Sequence, residues 1–230
     1  MKYFIHSIII PTKLDSRHQN SVDDFAKDWS RFRGKRELQD SLIPAQKYLC
    51  PYCEIELTRS EGEIGYHIEH IEPKSMNPSR TFDFSNLLVS CFNTGDEISA
   101  SDLDPKPISC GHAKKREFDS LLFIKPTDPD CENYFFYELD GRIIANPDLN
   151  DSAKLARVDY TITLLNLNCR RLKRKRKDMI VEGLNCVNDL LNNQDALSHF
   201  ANCELDESNG KNQSYFTTRR QYFQVFTRSI

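Results

Sequence analysis

Tyr66-His67-Ile68-Glu69-His70-Ile71-Glu72-Pro73-Lys74-Ser75 is the stretch on which the reading of this chain turns. Tyr66 to Ile71 has the aromatic and β-branched content of a strand, and Pro73 ends it. Two histidines and two carboxylates are packed into this short run, which a strand does not need for pairing. In a regular strand His67 and Glu69 share one face and His70 takes the other. For Glu69 and His70 to serve one ligand, the strand must end or bulge at 69–71.

Cysteines flank this segment. Cys50-Pro51-Tyr52-Cys53 lies before it, and Cys91 and Cys110 follow. The chain has eight cysteines, and Met1 to His6 has too short an apolar stretch to read as a secretory leader, so a reducing compartment, the cytoplasm, is expected. A C-x2-C pair with two later cysteines then reads as a zinc clamp, because four thiolates suit tetrahedral Zn2+. Cys131, Cys169, Cys186 and Cys203 are scattered and read as buried apolar residues. Further on come Ser85-Asn86-Leu87-Leu88 and Cys110-Gly111-His112-Ala113-Lys114-Lys115.

The remaining sequence sets bounds. With 230 residues, 28% charged and a mean hydropathy of -0.59, the chain is a water-soluble protein, one large domain or a domain with an appendage. No apolar run approaches the ~20 residues of a membrane span. The net charge of -3 argues against a uniformly basic surface, but Arg170 to Lys177 reads RRLKRKRK, seven cations in eight residues. Arg170, Arg171, Lys173, Arg174, Lys175, Arg176 and Lys177 are therefore candidate contacts to nucleic-acid phosphates, with an acid-facing solvated helix as the plainer alternative.

Local patterns predict a strand at Tyr3 to Ile10, a loop after Pro11, and helical structure over 21–46 with Ser21 as cap and Gly34 as a break. Phe25, Trp29 and Phe32 at helical spacing predict core packing. A turn is expected over Ser60 to Gly65, a short helix over Asp83 to Ser90, an inserted loop from Phe92 to Ser109, and a helix over His112 to Leu121. Asp140-Gly141 predicts a hairpin joining Tyr134–Leu139 to Arg142–Ala145. From Asp151 to Asn192 apolar residues recur at helical spacing, as two helices or one kinked helix. Leu205 to Gln213 is polar loop. Tyr215 to Phe226 reads as aromatic packing. The division expected is 1–46 as an N-terminal segment, 47–120 as the core, and 121–230 as a hairpin with a helical region.

Hydrolysis of a phosphodiester needs a base for water, a divalent ion to neutralise developing charge, and a group that orients the base. An imidazole near neutrality, a carboxylate with a second histidine, and an asparagine supply that inventory. The order of cysteine pair, Glu-His-Ile-x-Pro, Asn-Leu, Cys, and Cys followed by His and Lys resembles the zinc-stapled HNH endonucleases. Ile68-Glu69-His70-Ile71-Glu72-Pro73-Lys74-Ser75 with Phe82-Asp83-Phe84-Ser85-Asn86-Leu87-Leu88 is similar, more narrowly, to PtuB-like nucleases of Septu and retron-associated antiphage systems. The motifs span about residues 48–118.

The resemblance implies an α+β fold, a zinc-stapled ββα-metal core with mainly helical flanks. It implies His70 as general base, Asn86 holding it, Glu69 and His112 as ligands of a catalytic Mg2+ or Mn2+, and Cys50, Cys53, Cys91 and Cys110 around structural zinc. Gly111 intervenes between the last cysteine and His112, so Asn93 is the fallback ligand; a strand that stays regular through 69–71 would put Ile68 on the His70 face, undo the ligand assignment and make His67 the candidate. Lys74 and Lys114 could touch phosphate or simply be solvated. The implied activity is cleavage of DNA, or of RNA including tRNA, as the toxic effector of an antiphage system beside a PtuA-like ATPase. A zinc-stabilised binding module for nucleic acid or an ATPase, without catalysis, is the rival.

Overall fold

The computed structural model describes residues 1–20, 25–57, 65–92 and 108–227. Within them the fold is α+β, with eight helices and two small antiparallel sheets. The turn expected at Ser60 to Gly65 and the cap at Ser21 fall largely or wholly outside these residues. So do Asn93 and most of the inserted loop.

The N-terminal segment departs from the expected strand. Residues 1–7 run without regular structure, tied by Lys2 N–H to Pro51 O (2.9 Å) and Phe4 N–H to Pro126 O (3.1 Å). Ile8 and Ile9 stand exposed, so the apolar run has no sheet to join. The expected loop after Pro11 is helix α1 (Thr12–Asn20), started by the Pro11 carbonyl, which accepts from Leu14 and Asp15. Helices α2 (Phe25–Arg31) and α3 (Lys35–Ala45) are separated at Gly34, as the sequence predicts. Phe32 packs so close to Gly34 that a Cβ there would lie 2.4 Å from the ring. Trp29 and Phe32 are buried and stacked, centroids 5.6 Å apart.

Strand β1 (Gly65–His70) pairs antiparallel with β2 (Leu87–Phe92), from Gly65 opposite Phe92 to His70 opposite Leu87, without a bulge. Leu87-Leu88 is therefore strand, not the short helix that Ser85 suggested. The cap is Asp83, which accepts from Ser85 N–H, and it opens only one 3-10 turn, Phe84–Asn86. The outer edge of β2 is closed by Gln46. Its buried amide accepts from Val89 N–H (2.7 Å) and donates to Val89 O (2.8 Å), mimicking a neighbouring strand. Leu49 and Glu56 form only a single bridge. Helix α4 (Gly111–Lys114) is one turn long and stops well short of Leu121.

The second hairpin follows the sequence: β3 (Phe135–Tyr137) and β4 (Ile143–Ala145) join through Gly141 at φ 84°. A side chain there would strike the Lys173 carbonyl, which also fixes Gly at that position. Helices α5 (Ser152–Leu164) and α6 (Arg170–Leu190) are distinct, and Asp151 caps the first. Helix α7 (Gln194–Glu204) is an element the apolar spacing did not reveal. Helix α8 (Phe216–Phe223) buries Phe216 and Phe223.

One apolar cluster runs through residues of the N-terminal, central and C-terminal stretches. A buried polar knot joins them too. Glu54 accepts from the Met1 amino group (2.8 Å), Tyr137 OH (3.0 Å) and the Thr217 N–H (2.7 Å) and hydroxyl. Among the described residues no helix is long and apolar enough to cross a membrane.

Candidate active site and cysteine metal centre

The four cysteines expected to act together do meet. The sulfurs of Cys50, Cys53, Cys91 and Cys110 all lie within 4.8 Å of one another, and every one of these residues is buried. Four sulfurs at about 2.3 Å from a central Zn2+ would stand about 3.8 Å apart, and Cys53 and Cys91 are 3.5 Å apart. Burial and the neighbouring sulfurs push the Cys110 thiol up, a cost that a bound dication would offset. Ser90 supports the cluster: its hydroxyl lies 3.9 Å from Cys50 Sγ and accepts from Gly111 N–H at 3.2 Å. The set fits zinc. Of the other cysteines, Cys131 and Cys169 are buried as expected, whereas Cys186 and Cys203 are exposed on helices α6 and α7.

Strand β1 ends at His70, and the chain bends at Ile71–Glu72. That ending lets successive residues open onto one cleft of about 630 Å3, which Glu69, His70, Trp29, Lys74, Lys115 and Arg116 line. His70 is buried, with its ring edge-on to Trp29 at 4.5 Å. Its Nε2 stands 3.0 Å from Thr81 O. A carbonyl only accepts, so Nε2 carries the proton and Nδ1 keeps the lone pair. Burial lowers the imidazole to about 4, against the opposing pull of the Thr81 carbonyl. The ring is therefore neutral at pH 7.

The Asn86 side chain bonds the backbone rather than the His70 ring, and its main-chain carbonyl accepts from Ile71 N–H at 2.8 Å. It is fully buried and clamps the intervening loop, accepting from Glu72 N–H (2.8 Å) and donating to Glu72 O and Arg80 O (3.1 Å each). That loop presents the Thr81 carbonyl, so Asn86 positions His70 through the backbone.

Glu69 faces the other way. Its Oε1 is 2.9 Å from Lys114 Nζ and its Oε2 is 3.4 Å from His67 Nε2. Burial alone would raise the carboxyl, but His67 and Lys114 hold it below the usual range. Lys114 is wholly buried and also donates to His70 O at 3.1 Å, so neither reading of it as solvated or phosphate-binding applies. The His112 ring packs against His67, centroids 4.6 Å apart, and burial followed by the His67 charge lowers its proton affinity. Gly111 lies beneath Glu69: a Cβ there would be 2.8 Å from the carboxylate. The glycine that interrupts the cysteine–histidine spacing is thus what admits Glu69 to α4. His67, Glu69 and His112 form one group of donors, and Glu69 also lines the cleft onto which His70 opens.

Within the basic run the structure divides the cations. Arg170, Arg174 and Lys177 are exposed, Lys173 and Lys175 half-buried, and Arg171 and Arg176 buried. Arg176 donates to Gly141 O and Leu167 O, both at 2.7 Å. Arg171 and Arg176 therefore do not present themselves to an outside phosphate, because their guanidiniums are enclosed in the protein. The sequence reading missed Thr81, Lys114 and Trp29. A carbonyl leaves no residue-type signal, and Trp29 was legible only as core.

The described residues thus gather a neutral, oriented imidazole, a fixed carboxylate and two further imidazoles beside a buried four-cysteine cluster. No family model matches the chain. The candidate HNH endonuclease of retron Vc95 from Vibrio cholerae serotype O1 biovar El Tor is 34% identical over 164 residues, covering 70% of this chain and 71% of that protein. The candidate HNH endonuclease of retron Ec83 from Escherichia coli is 28% identical over 83% of each chain. The chain belongs to the family of retron HNH endonucleases.

Proposed function

We propose that this protein is a metal-dependent HNH endonuclease that hydrolyses phosphodiester bonds in nucleic acid, DNA in preference to RNA. The observation that carries the reading is the His70 ring, neutral and held by Thr81 O so that Nδ1 is left to accept a proton. In this reading β1, β2 and α4 are the ββα-metal core of residues 47–120, with 1–46 and 121–230 as flanking segments. Cys50, Cys53, Cys91 and Cys110 hold structural zinc.

Glu69 and His112 would hold the catalytic Mg2+ or Mn2+, and the 3.4 Å approach of His67 to Glu69 adds His67 to that set. The ion supplies positive charge where the phosphate and the leaving 3′ oxygen become more negative. His70 takes the proton from the attacking water at Nδ1, and the Thr81 carbonyl stabilises the imidazolium at Nε2. Asn86 and Lys114 keep that geometry. Lys74, Lys115 and Arg116 line the cleft and attract phosphate. The outward cations of α6, Arg170, Lys173, Arg174, Lys175 and Lys177, extend the electrostatic track. No base-reading group is evident among the described residues, so sequence preference is weak.

The biological setting we propose is the cytoplasm, in an antiphage system like Septu or a retron, with a PtuA-like ATPase that restrains the toxic activity. Supercoiled plasmid and a tRNA, each incubated with the protein and Mg2+, Mn2+ or EDTA, test the reaction. Nicked or linear plasmid with 5′-phosphate ends under Mg2+ or Mn2+, abolished by EDTA, is the expected result. Intact plasmid and intact tRNA with both metals would leave a zinc-stabilised binding module.

A further inference from the structure

Two of the seven cations in the basic run are enclosed in the protein, and burying a guanidinium is costly unless an opposite charge receives it. Arg171 is 5% exposed. Its Nη2 donates to Ser109 Oγ at 2.9 Å, the residue next to Cys110. Its Nε and Nη1 are buried with no hydrogen-bond partner among the described residues. No carboxylate forms an ion pair with it among those residues. Helix α6 begins directly after Cys169, and the Leu165 carbonyl before it accepts from Cys110 N–H at 2.8 Å, so the helix start is fastened to the fourth cysteine. Burial works against the charge on Arg171, yet Cys53, Cys169, Cys91 and Cys110 together hold its proton more firmly than usual.

Four thiolates around one Zn2+ carry two net negative charges, enclosed where water cannot solvate them. We propose that Arg171 is the counter-ion of the zinc–tetrathiolate centre, with its unpartnered N–H groups directed to the sulfur-rich cluster. The inference rests on the reading of the four cysteines as a zinc site. It gives the basic run two tasks: outward cations for phosphate, and Arg171 for the metal. It also makes the seating of α6 depend on the loaded metal centre.

The test uses the full chain, purified with zinc, and compares wild type, Arg171→Lys and Arg171→Gln. Zinc retention is read by competition with a chromophoric chelator, and the thiolate environment by the charge-transfer absorption of the Co2+-substituted proteins. Gln keeps a donor for Ser109 without the charge; Lys keeps the charge. The expected result is that Arg171→Gln loses zinc with an affinity lowered about tenfold, the low end for a group supporting metal ligands, and shifts the Co2+ band, while Arg171→Lys stays close to wild type. Equal zinc retention in all three, or a Gln variant that holds zinc better than the Lys variant, overturns the proposal and leaves only a packing role. Should Arg171→Gln fail to fold, Ser109→Ala, which releases the guanidinium without removing it, should weaken zinc retention; unchanged retention there counts against the proposal. A wild type that binds neither zinc nor Co2+ removes the zinc reading itself, a different failure from a zinc-loaded wild type indifferent to Arg171.

Discussion

His70 is the residue on which most depends, and its environment has a thermodynamic signature. Burial lowers its folded-state pKa to about 4, from an ordinary 6.5. Between those values the unfolded chain binds a proton that the folded protein refuses, so stability is complete above about pH 6.5 and falls as pH drops toward 4. A shift of this size corresponds to about 3 kcal/mol. Urea unfolding of wild type and His70→Gln from about pH 7 to about pH 4.5 should show a steeper loss for wild type; parallel curves would mean that His70 is not held neutral by the fold. At this scale the sequence was partly legible. Histidine, glutamate and cysteine announce chemistry by type, so Glu69 and His70 could be singled out as candidates and the cysteine tetrad read from spacing. Thr81 acts through its carbonyl, which every residue has. Lys114 looked like a surface lysine because nothing local signals that Glu69 and the His70 carbonyl enclose it.

At the scale of elements, β2 and α4 each carry or adjoin a member of the cysteine cluster. Cys91 lies in β2 and Cys110 immediately precedes the single turn of α4, which is too short to persist alone. Cys50→Ser, or removal of zinc by a strong chelator, should therefore cost about 4 kcal/mol, a fall of roughly 8–16 °C in melting temperature for a chain of this length. Faster amide exchange in 87–92 and 110–115 should accompany it. A melting temperature unaffected by chelation would contradict the structural-zinc reading. Element prediction succeeded where a local rule decides the outcome: Gly34 between α2 and α3, Gly141 in the hairpin, Asp151 before α5. It failed where long-range pairing decides. Leu87-Leu88 after Ser85 looks like the start of a helix, and only β1 makes it a strand. Tyr3 to Ile10 has strand composition but no sheet edge to join, so it stays irregular.

Across the whole molecule, charge is sorted by helix geometry. Arg170, Arg174 and Lys177 recur at i, i+4 and i+7 and are exposed, while Arg171 and Arg176 turn inward. A run of letters cannot show that division, because it follows from which side of α6 meets the core. Replacing Arg170, Arg174 and Lys177 together by Gln should weaken DNA binding. It should also reduce the slope of log K against log salt by about 1 for each phosphate no longer neutralised. An unchanged slope would place the nucleic acid elsewhere.

The most direct test of the central claim is single-turnover cleavage by zinc-loaded wild type and His70→Ala, matched for melting temperature, in excess Mg2+ or Mn2+. The account predicts that His70→Ala slows cleavage by about 10²–10⁴-fold, the contribution typical of a positioned base, while binding substrate as wild type does. Equal rates for the two proteins would contradict it.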